Sequence, residues 1–253
     1  MVKDLGLAGK RVIVTGAAGG LGRAFAQDFC DAGAQVLVAD INADGAAKTA
    51  ADLSKHGTCF GAAVDVSNTE SCRALADTAK QTMGGVDILI NNAALYAGLE
   101  RRNFEDIDED VWDKVMAVNI KGVWQMCRAV SPLLRAAGGG SIVNVASATV
   151  FSGSPQWMHY VASKGAVIAM SRVMAKEMGG DQIRVNVLAP GFTLTDASFD
   201  HIADARGYGV DRSSLKRNAE VGDITGAALY LASDLAGFVT GQTLIVDGGK
   251  QFI

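Results

Sequence analysis

Tyr160 and Lys164 stand four positions apart in the stretch Trp157-Met158-His159-Tyr160-Val161-Ala162-Ser163-Lys164. On a helix, residues i and i+4 share one face, one turn apart. An ammonium beside a phenol favours the phenolate and lowers the tyrosine pKa from its ordinary value of about 10. A tyrosine tuned in this way can take a proton from an alcohol or give one to a carbonyl. Alone, the pair is a weak pattern, and two surface residues one turn apart is the commoner reading. An acid/base of this kind needs a redox partner, a polarising group and a scaffold that holds them together.

The redox partner is written in the first forty residues. Lys10 to Thr15 is a short β-branched run that predicts a buried strand. It runs into Gly16-Ala17-Ala18-Gly19-Gly20-Leu21-Gly22, and then into Arg23 to Phe29, where apolar residues recur at helical spacing. Strand, glycine turn and helix start form a phosphate cradle. Glycines let the backbone approach a pyrophosphate, and the helix N-terminus offers free N–H groups. A second strand, Gln35 to Ala39, ends in Asp40. At about 20 residues past the loop, a carboxylate accepts hydrogen bonds from the adenosine ribose and repels a 2′-phosphate. Ile41 and Asn42 supply no cation for such a phosphate. The pattern therefore favours NAD over NADP.

Bulk properties narrow the class. The chain has 253 residues, 49% of them apolar, and only three prolines. That length and composition fit one α/β domain over 1–253 with a sizeable core. The formal charge is −4 with no basic cluster, which argues against a nucleic-acid or anionic-membrane surface. No apolar run approaches the roughly 18 residues of a membrane span, and the start Met1-Val2-Lys3-Asp4-Leu5-Gly6 lacks a signal-peptide core. Cys30, Cys59, Cys72 and Cys127 are scattered and read as buried thiols of a reducing compartment, and the three histidines suggest no metal site. A cytoplasmic location is expected.

Strand-like runs alternate with helix-like ones. Further strands are expected over Cys59–Val66, Val86–Ile90, Gly140–Val145, Gln182–Leu188 and Thr243–Val246, with amphipathic stretches over Ser67–Met83, Glu109–Ala137 and Ala162–Met178. Such alternation means a parallel sheet covered on both faces. Asp40, Asp65, Asn91, Ser147 and Pro190-Gly191 all fall at strand ends, where ligands bind in sheets of this kind. The longest stretch without periodicity, Phe192 to about Ala219, is a candidate substrate-binding lid.

Thr15-Gly16-x-x-x-Gly20-x-Gly22, Asn91-Asn92-Ala93, Asn119, Ser147, Tyr160-x-x-x-Lys164 and Pro190-Gly191 occur in this order. With them the chain closely resembles the single-domain branch of the short-chain dehydrogenase/reductase family, from Leu7 to Val246-Asp247-Gly248-Gly249. Ala94 and Gly222 stand where that family more often has Gly and Pro, and the stretch from Asn91 to Asn119 is slightly longer than usual. The resemblance implies a doubly wound Rossmann fold with a mostly parallel, seven-stranded sheet and helices on both faces. It implies Tyr160 as general acid/base, and Lys164 as the residue that lowers its pKa and holds the nicotinamide ribose. Ser147 would be hydrogen-bonded to the substrate oxygen, and Asn119 would mark a helix kink that relays protons toward Lys164. The cofactor contacts it implies are Thr15, Gly16, Gly20, Leu21 and Gly22 at the loop, and Asp40, Ile41, Asp65, Val66, Asn91 and Ala93 at the adenosine side. Pro190, Gly191, Thr193 and Thr195 would join Tyr160 and Lys164 at the other end, with Thr195 at the carboxamide.

These roles imply reversible oxidation of a secondary alcohol to a ketone. Tyr96, Thr149, Trp157 and Phe192 are the substrate candidates, with Leu95, Phe151, Gln156, Phe199 and Tyr208 around them. This aromatic set suits an apolar or aryl substrate. Arg101 and Arg102 leave a small anionic or sugar-like substrate open, or are solvated surface charges. Same-fold alternatives are a 3-oxoacyl-thioester reductase, a sugar/polyol or small hydroxy-acid dehydrogenase, and a non-catalytic NAD sensor. The resemblance further implies a homo-oligomer, a tetramer or alternatively a dimer.

Overall fold

A computed structural model describes residues 4–96 and 98–252. Seven strands form one parallel sheet: β1 Arg11–Thr15, β2 Gln35–Asp40, β3 Cys59–Ala63, β4 Ile88–Asn91, β5 Gly140–Val145, β6 Ile183–Pro190 and β7 Thr243–Val246. Their spatial order is β3-β2-β1-β4-β5-β6-β7. The direction of winding reverses between β1 and β4, which opens a crevice at their carboxyl ends. The expected doubly wound Rossmann architecture is the one observed.

The strands bury both faces, and alternate residues serve opposite layers. Val12 and Val14 of β1, Val36 and Val38 of β2, and Val143 and Val145 of β5 pack one side. That side is covered by α1 Gly20–Asp31, α2 Ala43–Leu53 and α9 Val221–Ala232. Ile13, Leu37, Leu89, Ile142 and Val185 pack the other. There lie α3 Thr69–Met83, α4 Glu109–Met116, α5 Gly122–Ala136 and α7 Met158–Met178. Two short helices, α6 Thr149–Ser152 and α8 Asp196–His201, lie near the carboxyl end of the sheet. No described helix is long and apolar enough to cross a membrane.

Several boundaries differ from the sequence expectation for local reasons. β3 ends at Ala63, not Val66, because Asp65 Oδ1 accepts from the Ser67 amide (2.9 Å) and bends the chain. α7 starts at Met158, four residues early, which puts Tyr160 in its first turn. The expected helix over Glu109–Ala137 is interrupted by a π-helical turn over Ala117–Lys121. The 192–219 stretch is not without structure. Its ends are stapled by Leu194 N to Ala219 O (2.8 Å), and it contains α8, whose six residues are too few to show periodicity. Cys30 and Cys59, distant in sequence, place their sulfurs 2.8 Å apart, and Cys59 is only half-buried.

A buried polar chain ties α7 to the centre of the sheet. Asn91 Nδ2 on β4 donates to Asn144 Oδ1 on β5 (2.9 Å), and Asn144 Nδ2 donates to Ser171 Oγ on α7 (2.9 Å). All three residues are buried, so removing the middle one strands a donor and an acceptor away from water. Asn144→Ala is expected to destabilise the protein by about 1–3 kcal/mol, which thermal unfolding reads as a melting point lower by several degrees. An unchanged melting point would show that the chain is redundant.

Candidate active site

Tyr160 and Lys164 lie in the first two turns of α7, at 7% and 3% exposure. Lys164 Nζ donates to the carbonyl of Val145, the last residue of β5, at 2.8 Å. It stands 5.7 Å from the centre of the Tyr160 ring. The four-residue spacing thus puts both groups on one face, as expected, but the expected lowering of the phenol pKa is not what the environment produces. Burial pushes the Tyr160 phenol above its ordinary value, the neighbouring Tyr96 adds to this, and the Ser147 hydroxyl opposes it. Burial also lowers Lys164, to about 8. Both shifts have one cause: each group sits in a dry wall where its charged form is disfavoured.

Ser147 lies two residues beyond β5. Its oxygen accepts from the Thr149 amide (3.2 Å) and from Thr149 Oγ1 (2.9 Å). The Ser147 hydroxyl also hydrogen-bonds with the Tyr160 phenol and favours its ionised form. Asn119 lies in the π turn. Its Oδ1 accepts from the Leu95 amide (2.7 Å), and its Nδ2 donates to the Leu95 carbonyl and to Ser163 Oγ (3.1 Å each). Ser163 in turn donates to the Tyr160 carbonyl (2.7 Å). The expected helix irregularity at Asn119 is present, and through Ser163 its side chain reaches the backbone of Tyr160.

The glycine loop is held from behind. Asn92 Nδ2 donates to the carbonyls of Thr15 and Gly16 (3.0 Å each), and Thr15 Oγ1 accepts from the amides of Asn92 and Ala93 (3.1 Å each). A Cβ on Gly22 would collide with the Gly16 carbonyl, so α1 starts tight against the loop. Thr15 and Gly22 therefore build the loop without lining a cavity. Asn91 also departs from expectation. Its side chain turns into the core toward Asn144 and Cys127, because its strand position faces inward, and Asn92 lines the crevice instead.

Two cavities meet at Asn92 and Ala94. The first, of about 280 Å³, is lined by Gly16, Asp40, Ile41, Asp65, Val66 and Ala93, with Val64, Leu95 and Val118 at its side. The Asp40 carboxylate accepts from the amides of Ala18 and Asn42 (3.0 Å each), which clamps it beside the loop. No Lys or Arg lines this cavity. The second, of about 610 Å³, brings together Gly20, Leu21, Ser147, Tyr160, Lys164, Pro190, Gly191, Thr193 and Thr195. All four expected substrate residues, Tyr96, Thr149, Trp157 and Phe192, line it as well.

Tyr96, Trp157 and Tyr160 form an aromatic cluster with ring centres 5.0–5.3 Å apart. Phe192 packs on Tyr208 at 4.8 Å. Phe151, Gln156 and Phe199 do not line the cavity, and Leu95 belongs to the first one. Arg102 is an exposed partner of Glu100 (2.6 Å). Arg101, in contrast, reaches the cavity, together with Arg212, Lys250 and Gln251. The last three carried no sequence signal, because they lie in segments without periodicity. His159 is buried beside Tyr160 but is not in the cavity wall. Among the described residues, no cluster of His, Cys, Asp or Glu could hold a metal ion.

The glycine cradle, the clamped Asp40 and the adjoining cavities fit a nicotinamide dinucleotide laid across the sheet's carboxyl edge. A family model described as enoyl-(acyl carrier protein) reductase matches residues 16–251. D-threitol dehydrogenase of Mycolicibacterium smegmatis is 38% identical over 250 residues, which is 97% of this chain and 94% of that protein. The 3-oxoacyl-(acyl-carrier-protein) reductase of Thermotoga maritima is 37% identical over 248 residues, 96% of this chain and 98% of the relative. The crystal structure of a short-chain type dehydrogenase/reductase from Mycobacterium marinum superposes with a TM-score of 0.91 at 30% identity, covering 99% of this chain and 98% of that one. The chain belongs to the short-chain dehydrogenase/reductase family, whose members use nicotinamide cofactors, and it is an oxidoreductase acting on CH–OH groups.

The lowered Lys164 pKa has a consequence for stability. Its ordinary value is about 10.4, and about 8 in the fold. Between these two values the unfolded chain binds more protons than the folded one, so stability attributable to this lysine rises with pH. Below about pH 8 both states are protonated, and the burial penalty is present in full. Urea unfolding of the protein and of Lys164→Met, compared from pH 7 to 10, is expected to show a difference flat at the low end. Above pH 8 it should move in favour of the unmodified protein. A pH-independent difference would mean that Lys164 is not desolvated.

Proposed function

We propose that this protein is an NAD-linked dehydrogenase that interconverts a secondary alcohol and a ketone through Tyr160, Lys164, Ser147 and Asn119. The observation that carries the reading is one cavity lined together by the Tyr160 phenol, the Lys164 ammonium, the Ser147 hydroxyl and the glycine loop. A bound nicotinamide supplies the hydride acceptor. As the phenolate, Tyr160 takes the alcohol proton while the carbonyl forms, and in the ketone-reducing direction the phenol gives it back. Ser147 donates to the substrate oxygen and steadies the charge that develops there. Lys164 keeps N–H donors beyond the one given to Val145, enough to hold ribose hydroxyls, and its positive charge makes the phenol a better proton donor. Asn119 is a positioning residue that fixes the turn carrying Tyr160 through Ser163.

The preference for NAD is supported by the first cavity. Two carboxylates and no cation line it, so a 2′-phosphate would meet repulsion without a partner. This disfavours a 3-oxoacyl-thioester reductase, which is expected to use the phosphorylated cofactor. The aromatic walls support an apolar or aryl body on the substrate. We read the whole chain, 1–253, as one catalytic domain with a cytoplasmic location, and 192–219 as its substrate lid. We further read it as a homo-oligomer, a tetramer rather than a dimer. Exposed Trp124 on α5, Val173 on α7 and Phe238 before the edge strand β7 support that reading.

Absorbance at the reduced-nicotinamide band, with NAD and NADP tested separately against aryl, aliphatic, polyol and hydroxy-acid alcohols, tests the proposal. NAD is expected to support turnover, and Tyr160→Phe to lower kcat by at least about 10²–10⁴-fold while dinucleotide binding persists. Turnover that survives in Tyr160→Phe, or a preference for NADP, contradicts it.

A further inference from the structure

The wall of the larger cavity is electrically one-sided. The whole chain carries 27 acidic and 23 basic residues, yet the residues lining this cavity include Arg101, Lys164, Arg212 and Lys250 and no Asp or Glu. Lys164 is accounted for above, and the other three come from separate parts of the chain. Arg101 lies in the loop after β4, Arg212 in a single helical turn over Val210–Arg212, and Lys250 beyond β7. Elsewhere in the protein arginines find carboxylates, as in Arg11 with Asp87, Arg135 with Asp181 and Arg217 with Asp223. Among the described residues, none of Arg101, Arg212 and Lys250 makes an ion pair within 4.0 Å.

Two of the three heads, those of Arg212 and Lys250, converge. A Cβ on Gly209 would lie 2.8 Å from Lys250 Nζ and 2.9 Å from an Arg212 Nη, so the two cations share one small space. Burial and Arg212 disfavour the charge on Lys250, and Tyr208, Asp247 and Asp211 favour it to a smaller degree. Arg101 is held over the Trp157 ring (5.5 Å) and the Tyr208 ring (5.7 Å), and its Nη2 donates to the Tyr208 hydroxyl (2.7 Å). Stacking fixes the direction of this guanidinium and leaves further N–H donors free. Cations gathered without carboxylates in a concave, partly dry wall repel one another, and an anion relieves that repulsion while taking charge-assisted hydrogen bonds.

We propose that Arg101, Arg212 and Lys250 form a binding site for an oxyanion carried by the substrate, a carboxylate or a phosphate. The inference rests on the alcohol/ketone reading of Tyr160 and deepens it. Trp157 packs on Tyr160 at 5.2 Å on one side and beneath Arg101 on the other. The anionic end is therefore separated from the reacting carbon by an aromatic step. The substrate class that fits is a secondary alcohol with an apolar or aryl body and an anionic group at its far end. The cations serve two purposes there: they hold the far end and thereby orient the hydroxyl toward Ser147 and Tyr160.

The test uses the full chain with NADH and three matched ketones: 4-acetylbenzoate, 4-acetylphenyl phosphate and the neutral 4-ethylacetophenone. Quenching of bound NADH fluorescence reads the affinity of each, and calorimetry without dinucleotide reads the anions directly. The better anionic ketone is expected to bind at least about tenfold tighter than the neutral one. Arg212→Gln and Lys250→Gln are each expected to weaken it by about tenfold, with a much smaller effect on the neutral ketone and on NADH. A tighter carboxylate identifies a hydroxy-acid substrate, and a tighter phosphate a phosphorylated one. A neutral ketone that binds as well as both anions overturns the proposal. So do variants that weaken NADH as much as the anion, since the cations would then serve the cofactor phosphates. If NADH does not bind, the dehydrogenase reading falls, while calorimetry still decides whether the cluster binds anions.

Discussion

The site depends on how α7 is fastened to the carboxyl end of β5. A lysine ammonium cannot be buried cheaply, and Lys164 is buried with one hydrogen bond, to the carbonyl of Val145. That bond joins the helix that carries the acid/base to the strand that leads to Ser147. A second fastening lies deeper, through Asn144 and Ser171. With the helix fixed at two places, the phenol of Tyr160 and the hydroxyl of Ser147 are held together on one wall. Burial disfavours the charged forms of Tyr160 and Lys164, so the resting electrostatics lean toward a neutral phenol. In this arrangement a charge brought near Lys164 matters more than it would in water, because the surroundings screen it weakly.

The parts of this arrangement that were legible in the sequence are those with a period or a fixed spacing. β1, the glycine loop and α1 announce themselves by the change from a β-branched run to helical spacing, and Tyr160 and Lys164 by their offset of four. The alternating strands and helices sufficed for the doubly wound sheet. Orientation at strand ends was not legible. Asn91 and Asn92 are the same residue type side by side, and only the pleat decides that the first faces Asn144 and the second the loop. The direction of the Tyr160 shift was equally hidden, since spacing reports proximity to Lys164 but not the dryness of the wall. Arg101 was singled out as compatible with an anionic substrate, but the cluster was not legible: Arg101, Arg212 and Lys250 are more than 30 positions apart, and no periodic element relates them.

The two adjoining cavities have opposite electrical character. Asp40 and Asp65 line the end that fits an adenosine, and only cations line the charged positions of the other. An elongated ligand whose hydroxyl-rich part lies by the carboxylates and whose anionic parts lie by the cations would match this gradient along its whole length. A dinucleotide alone does not use it fully, since its phosphates belong by the glycine loop and α1. Arg101 is stacked over Trp157 and Tyr208 instead.

The 192–219 segment lines the larger cavity at two places. Phe192, Thr193 and Thr195 at its start line the cavity next to Pro190 and Gly191, where the nicotinamide end is expected, and Tyr208 and Arg212 further on line the same cavity. The segment is closed on itself by the pairing of Leu194 with Ala219, and it is tied to the chain end by Leu215 N to Gly248 O (3.0 Å) and Ser213 Oγ to Gly248 O (3.0 Å). Lys250 follows Gly248 by two residues. A dinucleotide that orders the start of this segment would thereby set Tyr208 and Arg212 against Lys250 and Arg101 before a substrate arrives. In that case the first ligand would bear part of the ordering entropy that the second would otherwise meet.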